Sequence, residues 1–299
     1  MDSKKTIKNK FGYFELASKP NAHDLQIYYA EKYFQEAQGS YEINYSPAEK
    51  LYFYNKVMQK HVWATSEIKY PSTRKPRFLD VGAGEGWALA YFNEAGWDCK
   101  GLDYSSHGCS SQNNEVSNLL IIGDIYEKIS ELLREGAKFD LILLDNLLEH
   151  VLDPYDLLKK LLGLVGDTGG LIVEVPNDFS VLQEHLLDRE HISAPFWIAP
   201  PDHISYFNKD GLAELARGAG WDVKDIISDY PIDFCLTNPL TNYVRDAALG
   251  KPCHNARVEM ENLLHKISPQ KTIEFYRSLA NLGLGRELLA LLTPSQTHG

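Results

Sequence analysis

From about residue 71 the chain alternates short apolar runs with longer amphipathic ones. The apolar runs at 77–81, 100–104, 119–124, 139–145 and 170–176 are mostly continuous, the pattern of strands covered on both faces. Between them apolar positions recur at helical spacing. The segment 85–95 stops at Gly96, a residue suited to the position just past a helix end. The segment 154–165 has Asp153 to cap it and Pro154 in its first turn. Leu157, Leu158, Leu161, Leu162 and Val165 run along one of its faces. Such alternation predicts an α/β fold built on a doubly wound parallel sheet. Ligands of these sheets sit beyond the carboxyl ends of the strands, near the switch point.

The flanks read differently. Residues 1–70 are rich in tyrosine, with Tyr28, Tyr29, Tyr33, Tyr41, Tyr45, Tyr52 and Tyr54 in one stretch. One or two helices packed on the core are expected there, as a helical lid. Residues 231–299 read as a C-terminal helical extension, since Met260, Leu263, Leu264 and Ile267 keep helical spacing. Ser268-Pro269 restarts a helix, and Gly283 and Gly285 punctuate the next turn. The core is then 71–230. The apolar faces of the extension either pack on that core or form a homodimer.

Charge narrows the partners. Lys and Arg number 30 against 41 Asp and Glu, a net charge of −11. That balance speaks against a mainly electrostatic hold on nucleic acid or an anionic membrane. Cys99, Cys109, Cys235 and Cys253 show no C-x-x-C spacing, so neither a disulfide framework nor a zinc site is expected. There is no secretory pattern at the N-terminus and no apolar run of about 18 residues. A soluble cytoplasmic enzyme is the expectation, with its chemistry left open.

The strongest local signal is Asp80-Val81-Gly82-Ala83-Gly84-Glu85-Gly86, between a strand and a helix. Glycines let the backbone turn sharply and approach a ligand, and the helix start offers N–H groups to it. A dinucleotide fingerprint would need glycine at 87, where Trp87 stands, and no phosphate-binding G-x-x-x-x-G-K-[ST] loop occurs. Asp103 ends the second strand, where a carboxylate can accept both hydroxyls of a ribose. Asp124 ends the third, placed to accept from an adenine amino group, with Tyr104 and Ile125 to flank the ring. A lone aspartate at a strand end ordinarily caps a turn or helix. A matched set points to a nucleoside ligand.

The segments FLDVGAGEGWALAYF, GLDYS, GDIYE, FDLILLDNLLEHVLDPYDLL and GGLIVEVPND, in this order, resemble the class I S-adenosylmethionine-dependent methyltransferases over about residues 76–230. The resemblance implies a Rossmann-like seven-stranded sheet with one antiparallel strand. It implies S-adenosylmethionine as cofactor and S-adenosylhomocysteine as product. Asp80, Gly82, Gly84 and Gly86 match the loop that holds the amino-acid end. Asp103 and Asp124 match the ribose and adenine positions, and Asn146 the position lining the methionine side.

Methyl transfer from a sulfonium is an in-line displacement of an already activated group, so alignment supplies much of the catalysis. A hydroxyl acceptor is helped by a general base, for which His150 and His203 are the candidates. Glu149-His150 with a distant His203 also resembles part of the divalent-metal site of small-RNA ribose methyltransferases and ubiquinone-pathway O-methyltransferases. Those carry Glu-x-x-Glu-His, and here Asn146 replaces the first glutamate. Loss of a carboxylate weakens a hard-cation site, so no metal is expected. In the expected lid segment 39–45, Tyr41 and Tyr45 are the substrate-binding candidates.

A second resemblance concerns the flanks. Tyr28-Tyr29-Ala30-Glu31-Lys32-Tyr33-Phe34, Asn238-Pro239, Gly250-Lys251 and Leu284-Gly285-Arg286 look like methyltransferases of bacterial surface-polysaccharide pathways. That likeness implies O-methylation of a nucleotide-linked sugar or a related precursor. A phenol or quinol acceptor stays open, as does a cofactor-binding pseudoenzyme acting through its C-terminal helices.

Overall fold

The computed structural model describes residues 5–21, 24, 25, 28 and 44–295. Strands β1 (Thr6–Lys8) and β2 (Phe14–Leu16) open it, followed by helix α1 (Pro47–Glu67). Then come β3 (Arg77–Val81), α2 (Trp87–Glu94), β4 (Asp98–Asp103), α3 (His107–Gln112), β5 (Leu120–Ile122), α4 (Ile125–Arg134) and β6 (Phe139–Asp145). Next are α5 (Pro154–Leu162), β7 (Val165–Pro176), α6 (Val181–Asp188), β8 (Ser205–Tyr206), α7 (Lys209–Gly218) and β9 (Trp221–Ser228). Helices α8 (Gly250–Ile267) and α9 (Pro269–Asn281) precede the last strand, β10 (Glu287–Pro294).

Seven strands form one sheet in the order β5-β4-β3-β6-β7-β10-β9. The five from β5 to β7 run parallel, and β10 is antiparallel to both of its neighbours. The continuous apolar strands are explained by two cores, one on each face. On β6, Ile142 and Leu144 join the core covered by α4, α5 and α7, while Leu141 and Leu143 join the core covered by α1, α2 and α9. The chain leaves β3 for β4 and β5 on one side and returns from β5 to β6 on the other, so the switch point lies beside the end of β3.

Two expectations need correction. The C-terminal flank is helical over α8 and α9, but its end is a strand inserted between β7 and β9. The run Glu-Leu-Leu-Ala-Leu-Leu-Thr-Pro buries Leu288, Leu289, Leu291 and Leu292 to 0–1% exposure. Fully burying one leucine stabilises by about 1.5–3 kcal/mol, so a position covered on both faces outweighs a half-exposed helix. The N-terminal flank likewise begins with strands: β1, β2 and β8 form a small antiparallel sheet. Through it Leu16 N–H donates to the Ile204 carbonyl at 2.9 Å, tying the loop before β8 to the N-terminus.

Helix α1 starts at a capping box. Ser46 accepts from the Glu49 amide, and the Glu49 carboxylate reaches back to the Ser46 amide. Among the described residues all four cysteines are free thiols, and no helix is long and apolar enough to cross a membrane.

Candidate active site

A cleft of about 1390 Å³ opens over the carboxyl ends of β3, β4 and β6. Its floor is the glycine loop. Gly82 and Ala83 both donate to the Leu102 carbonyl, at 2.8 and 3.1 Å, which fastens the loop to the end of β4. Gly82 and Gly84 have φ of 80° and 52°, conformations that favour glycine. Asp103 Oδ2 accepts from Gly84 N–H at 2.8 Å and Oδ1 from Ser105 N–H at 3.0 Å. The carboxylate at the end of β4 therefore orients the loop while facing the cleft. Burial pushes the Asp103 carboxyl up. Asp80 is buried more deeply; its desolvation, with Asp145 and Asp103 nearby, raises it to about 8 against the pull of Lys60.

Gly86 faces elsewhere. It has φ of 78°, and a Cβ there would sit 2.6 Å from Cys109 Sγ. Its small size serves the contact between α2 and α3, and it is not part of the cleft lining.

Tyr104, Asp124 and Ile125 line the cleft together, beyond β4 and β5. Asp124 also does what a lone strand-end aspartate does: its Oδ1 caps α4 by accepting from Glu127 N–H at 3.0 Å. The Tyr104 hydroxyl donates to its Oδ2 at 2.7 Å. Asn146 lies just past β6 with φ of 50°, a left-handed conformation asparagine tolerates. Its amide donates to the Glu174 carbonyl and its side chain to Asp145 Oδ1, both at 3.0 Å.

The two candidate histidines meet. The rings of His150 and His203 are edge to face with centroids 4.9 Å apart. His150 lines the cleft and His203 does not. His150 Nδ1 is 2.7 Å from the Asp202 carbonyl, so Nδ1 carries the proton and the basic lone pair falls on Nε2. The Glu149 carbonyl accepts from Ile204 N–H at 2.9 Å, which docks the 199–207 loop on this rim. Glu149, His150 and His203 bring potential ligand atoms within 4.8 Å of one another. Burial, reinforced by Glu287, Asp178 and Asp145, pushes the Glu149 carboxyl well above the usual range.

A family model described as a methyltransferase domain matches residues 54–226, more than half of the chain. The chain belongs to that methyltransferase family. Among solved structures, a SAM dependent methyltransferase from Archaeoglobus fulgidus is 18% identical with a TM-score of 0.48, covering 80% of this chain and 93% of that one. An S-adenosylmethionine-dependent methyltransferase from Clostridium acetobutylicum is 10% identical with a TM-score of 0.44, covering 91% and 98%. No curated protein matches the chain.

The methyltransferase cleft has residues that sequence reasoning missed. Lys56 and Lys60 of α1, Asp145 at the end of β6, His254 and Arg257 of α8, and Glu287 of β10 all line it. Lys60 lies between Asp145 and Glu174, with Nζ 2.6 Å from Glu174 Oε2, and Lys56 Nζ is 2.8 Å from Oε1. Burial would raise Glu174, but these two ammonium groups outweigh it and hold the carboxyl at about 2. The available signal was spacing: Tyr52, Lys56 and Lys60 fall four residues apart on one helix face.

Tyr45 is not in the lining. Its ring packs against Phe53 and Trp87 and its hydroxyl donates to Glu85 Oε1 at 2.9 Å, so it braces the glycine loop from outside. Tyr41 lies outside the described residues.

Proposed function

We propose that this methyltransferase uses S-adenosylmethionine to O-methylate a small polar acceptor, a nucleotide-linked sugar or related precursor of surface polysaccharide. One observation carries the donor part. Asp103, already fixed by the Gly84 and Ser105 amides, lines one cleft with Gly82, Gly84, Tyr104, Asp124, Ile125 and Asn146. A carboxylate oxygen has more than one lone pair, so Asp103 can orient the loop and accept ribose hydroxyls together. Asp124 takes the adenine amino group between Tyr104 and Ile125. Gly82 and Gly84 meet the amino-acid end with bare backbone, and Asn146 faces the methionine side. The bound cofactor supplies a methyl group on a sulfonium. Everything else falls to alignment and to removal of the acceptor's proton.

His150 takes the base role because it lines the cleft with its Nδ1 proton held by the Asp202 carbonyl. His203, edge-on behind it, positions that ring. No metal enters the reading: Asn146 stands where a further carboxylate would be needed, and burial favours the proton on Glu149. A reducing, cytoplasmic setting suits four free thiols. The polar acceptor is favoured over a phenol or quinol by the charged residues Lys56 and Arg257 and the polar His254 in the cleft wall, where an apolar tunnel would serve an aromatic substrate.

Turnover with S-adenosylmethionine against a panel of sugar nucleotides and phenols tests the acceptor. Methylation confined to phenols would refute the sugar reading. His150→Ala is expected to lower kcat by about a hundredfold. Affinity for S-adenosylhomocysteine, measured by calorimetry, should stay within about twofold. Wild-type turnover in that variant would remove the base role.

A further inference from the structure

Between α1 and α8 the cleft wall carries two cations on one aromatic ring. The Arg257 guanidinium lies 5.3 Å from the Tyr52 ring centroid and Lys56 Nζ lies 5.9 Å from it. All three residues line the cleft. The Arg257 side chain is only 18% exposed. Its Nη2 meets His254 Nδ1 at 3.2 Å, while among the described residues its buried Nε has no hydrogen-bond acceptor. Glu261 Oε1 makes a long ion pair with that Nε at 3.9 Å, and the other oxygen of Glu261 accepts the Tyr276 hydroxyl at 2.8 Å.

The surroundings explain why Arg257 keeps this charge. His254 Nε2 faces Glu49 Oε1 at 3.5 Å, which assigns the Nε2 proton toward Glu49 and leaves Nδ1 to accept from Arg257. Glu49 is itself paired with Lys251 at 2.7 Å and fixed by the capping box of α1. A neutral imidazole thus takes one of the five guanidinium donors. Tyr52, Asp229, Glu261 and Glu287 favour the charged guanidinium against its burial, with Glu261 in ion-pair range at 3.9 Å. Burial raises Asp229, Glu261 and Glu287, with Glu261 brought to about 7 by desolvation and the adjacent Asp229. Glu174 is shared by Lys56 and Lys60. Among the described residues the Arg257 side chain has one long ion pair and one hydrogen bond to an imidazole, and its planar fork is shaped for two oxygens of one oxyanion.

We propose that Arg257, with Lys56 across the Tyr52 ring, binds an oxyanion of the acceptor, so that this methyltransferase selects small molecules bearing a phosphate or carboxylate group. The assignment rests on the reading of this cleft as the acceptor site. Its chemistry is a charge-assisted fork on the anion beside an aromatic wall that excludes water.

The test is calorimetric titration of the full chain with sodium pyrophosphate, glucuronate and neutral methyl glucoside, each with and without S-adenosylhomocysteine. Pyrophosphate or glucuronate should bind at least tenfold more tightly than methyl glucoside, and which of them does so identifies phosphate or carboxylate as the recognised group. Arg257→Met should weaken the preferred anion at least tenfold with S-adenosylhomocysteine affinity within twofold of wild type. Arg257→Lys should lose less, because it keeps the charge and loses the fork. Equal binding of anions and methyl glucoside by the wild type would overturn the proposal, as would undiminished anion binding by Arg257→Met. If circular dichroism shows that Arg257→Met does not fold, the wild-type panel and Arg257→Lys decide. Failure of the wild type to bind S-adenosylhomocysteine would refute the donor assignment, and the titrations without it would still judge the anion site.

Discussion

Lys60→Met is expected to destabilise the protein by about 3–5 kcal/mol, the cost of breaking a buried ion pair by removing one partner. Lys60 is 2% exposed and serves two carboxylates, Asp145 and the fully buried Glu174. Methionine preserves most of the volume, so the loss reports charge rather than a cavity. Chemical denaturation at pH 7 measures it. The pH dependence provides a second reading. Glu174 titrates near 2 when folded, against an ordinary 4.5. Its contribution is therefore complete above about pH 4.5 and is lost as pH falls through about 2. Without Lys60 the folded value rises toward 4.5, so this contribution shrinks and its loss begins at higher pH. Adding Glu174→Gln to the Lys60→Met background should recover part of the stability. Wild-type stability in the single variant would show that the pair is not needed to hold the fold.

Asp103→Ala is expected to weaken S-adenosylhomocysteine binding by about 2 kcal/mol, roughly thirtyfold, through loss of charge-assisted hydrogen bonds to the ribose. The structure adds a sharper comparison. Both carboxylate oxygens already accept backbone amides, from Gly84 and Ser105. Asparagine offers one acceptor oxygen and cannot serve both amides in this way. Asp103→Asn should therefore lose nearly as much affinity as alanine, although it keeps the size. Calorimetry on both variants decides. Unchanged affinity in either would end the ribose assignment.

These two aspects were unequally legible in the sequence. Asp103 stood out because a continuous apolar run ended there, downstream of an uncommon cluster of glycines. The core strands were readable for the same reason: β6 is apolar at every position that meets one of the two cores. Lys60 was hidden because a lysine on a helix ordinarily marks a solvated face. Only its tertiary partners Asp145 and Glu174, 85 and 114 residues away, turn it inward. Strands β1 and β2 are three residues each, too short to show a period. Strand β10 failed for the opposite reason, since its unbroken apolar run fits a buried helix as well as a buried strand. Asp124 shows that the bland and the functional reading need not compete, because the carboxylate that caps α4 also faces the cleft.

The place of β10 in the sheet bears on how the chain matures during synthesis. Strand β9 has β10 as its partner in the sheet, and β10 in turn joins it to β7. While residues 287–294 are still inside the ribosome, the parallel half of the sheet can form, but β7 keeps an open edge and β9 waits unattached. The same late arrival brings Glu287 to the wall of the cleft. A nascent chain can therefore hold a finished glycine loop well before it holds a finished enzyme, and the interval between them is a window of vulnerability to pairing between open strand edges.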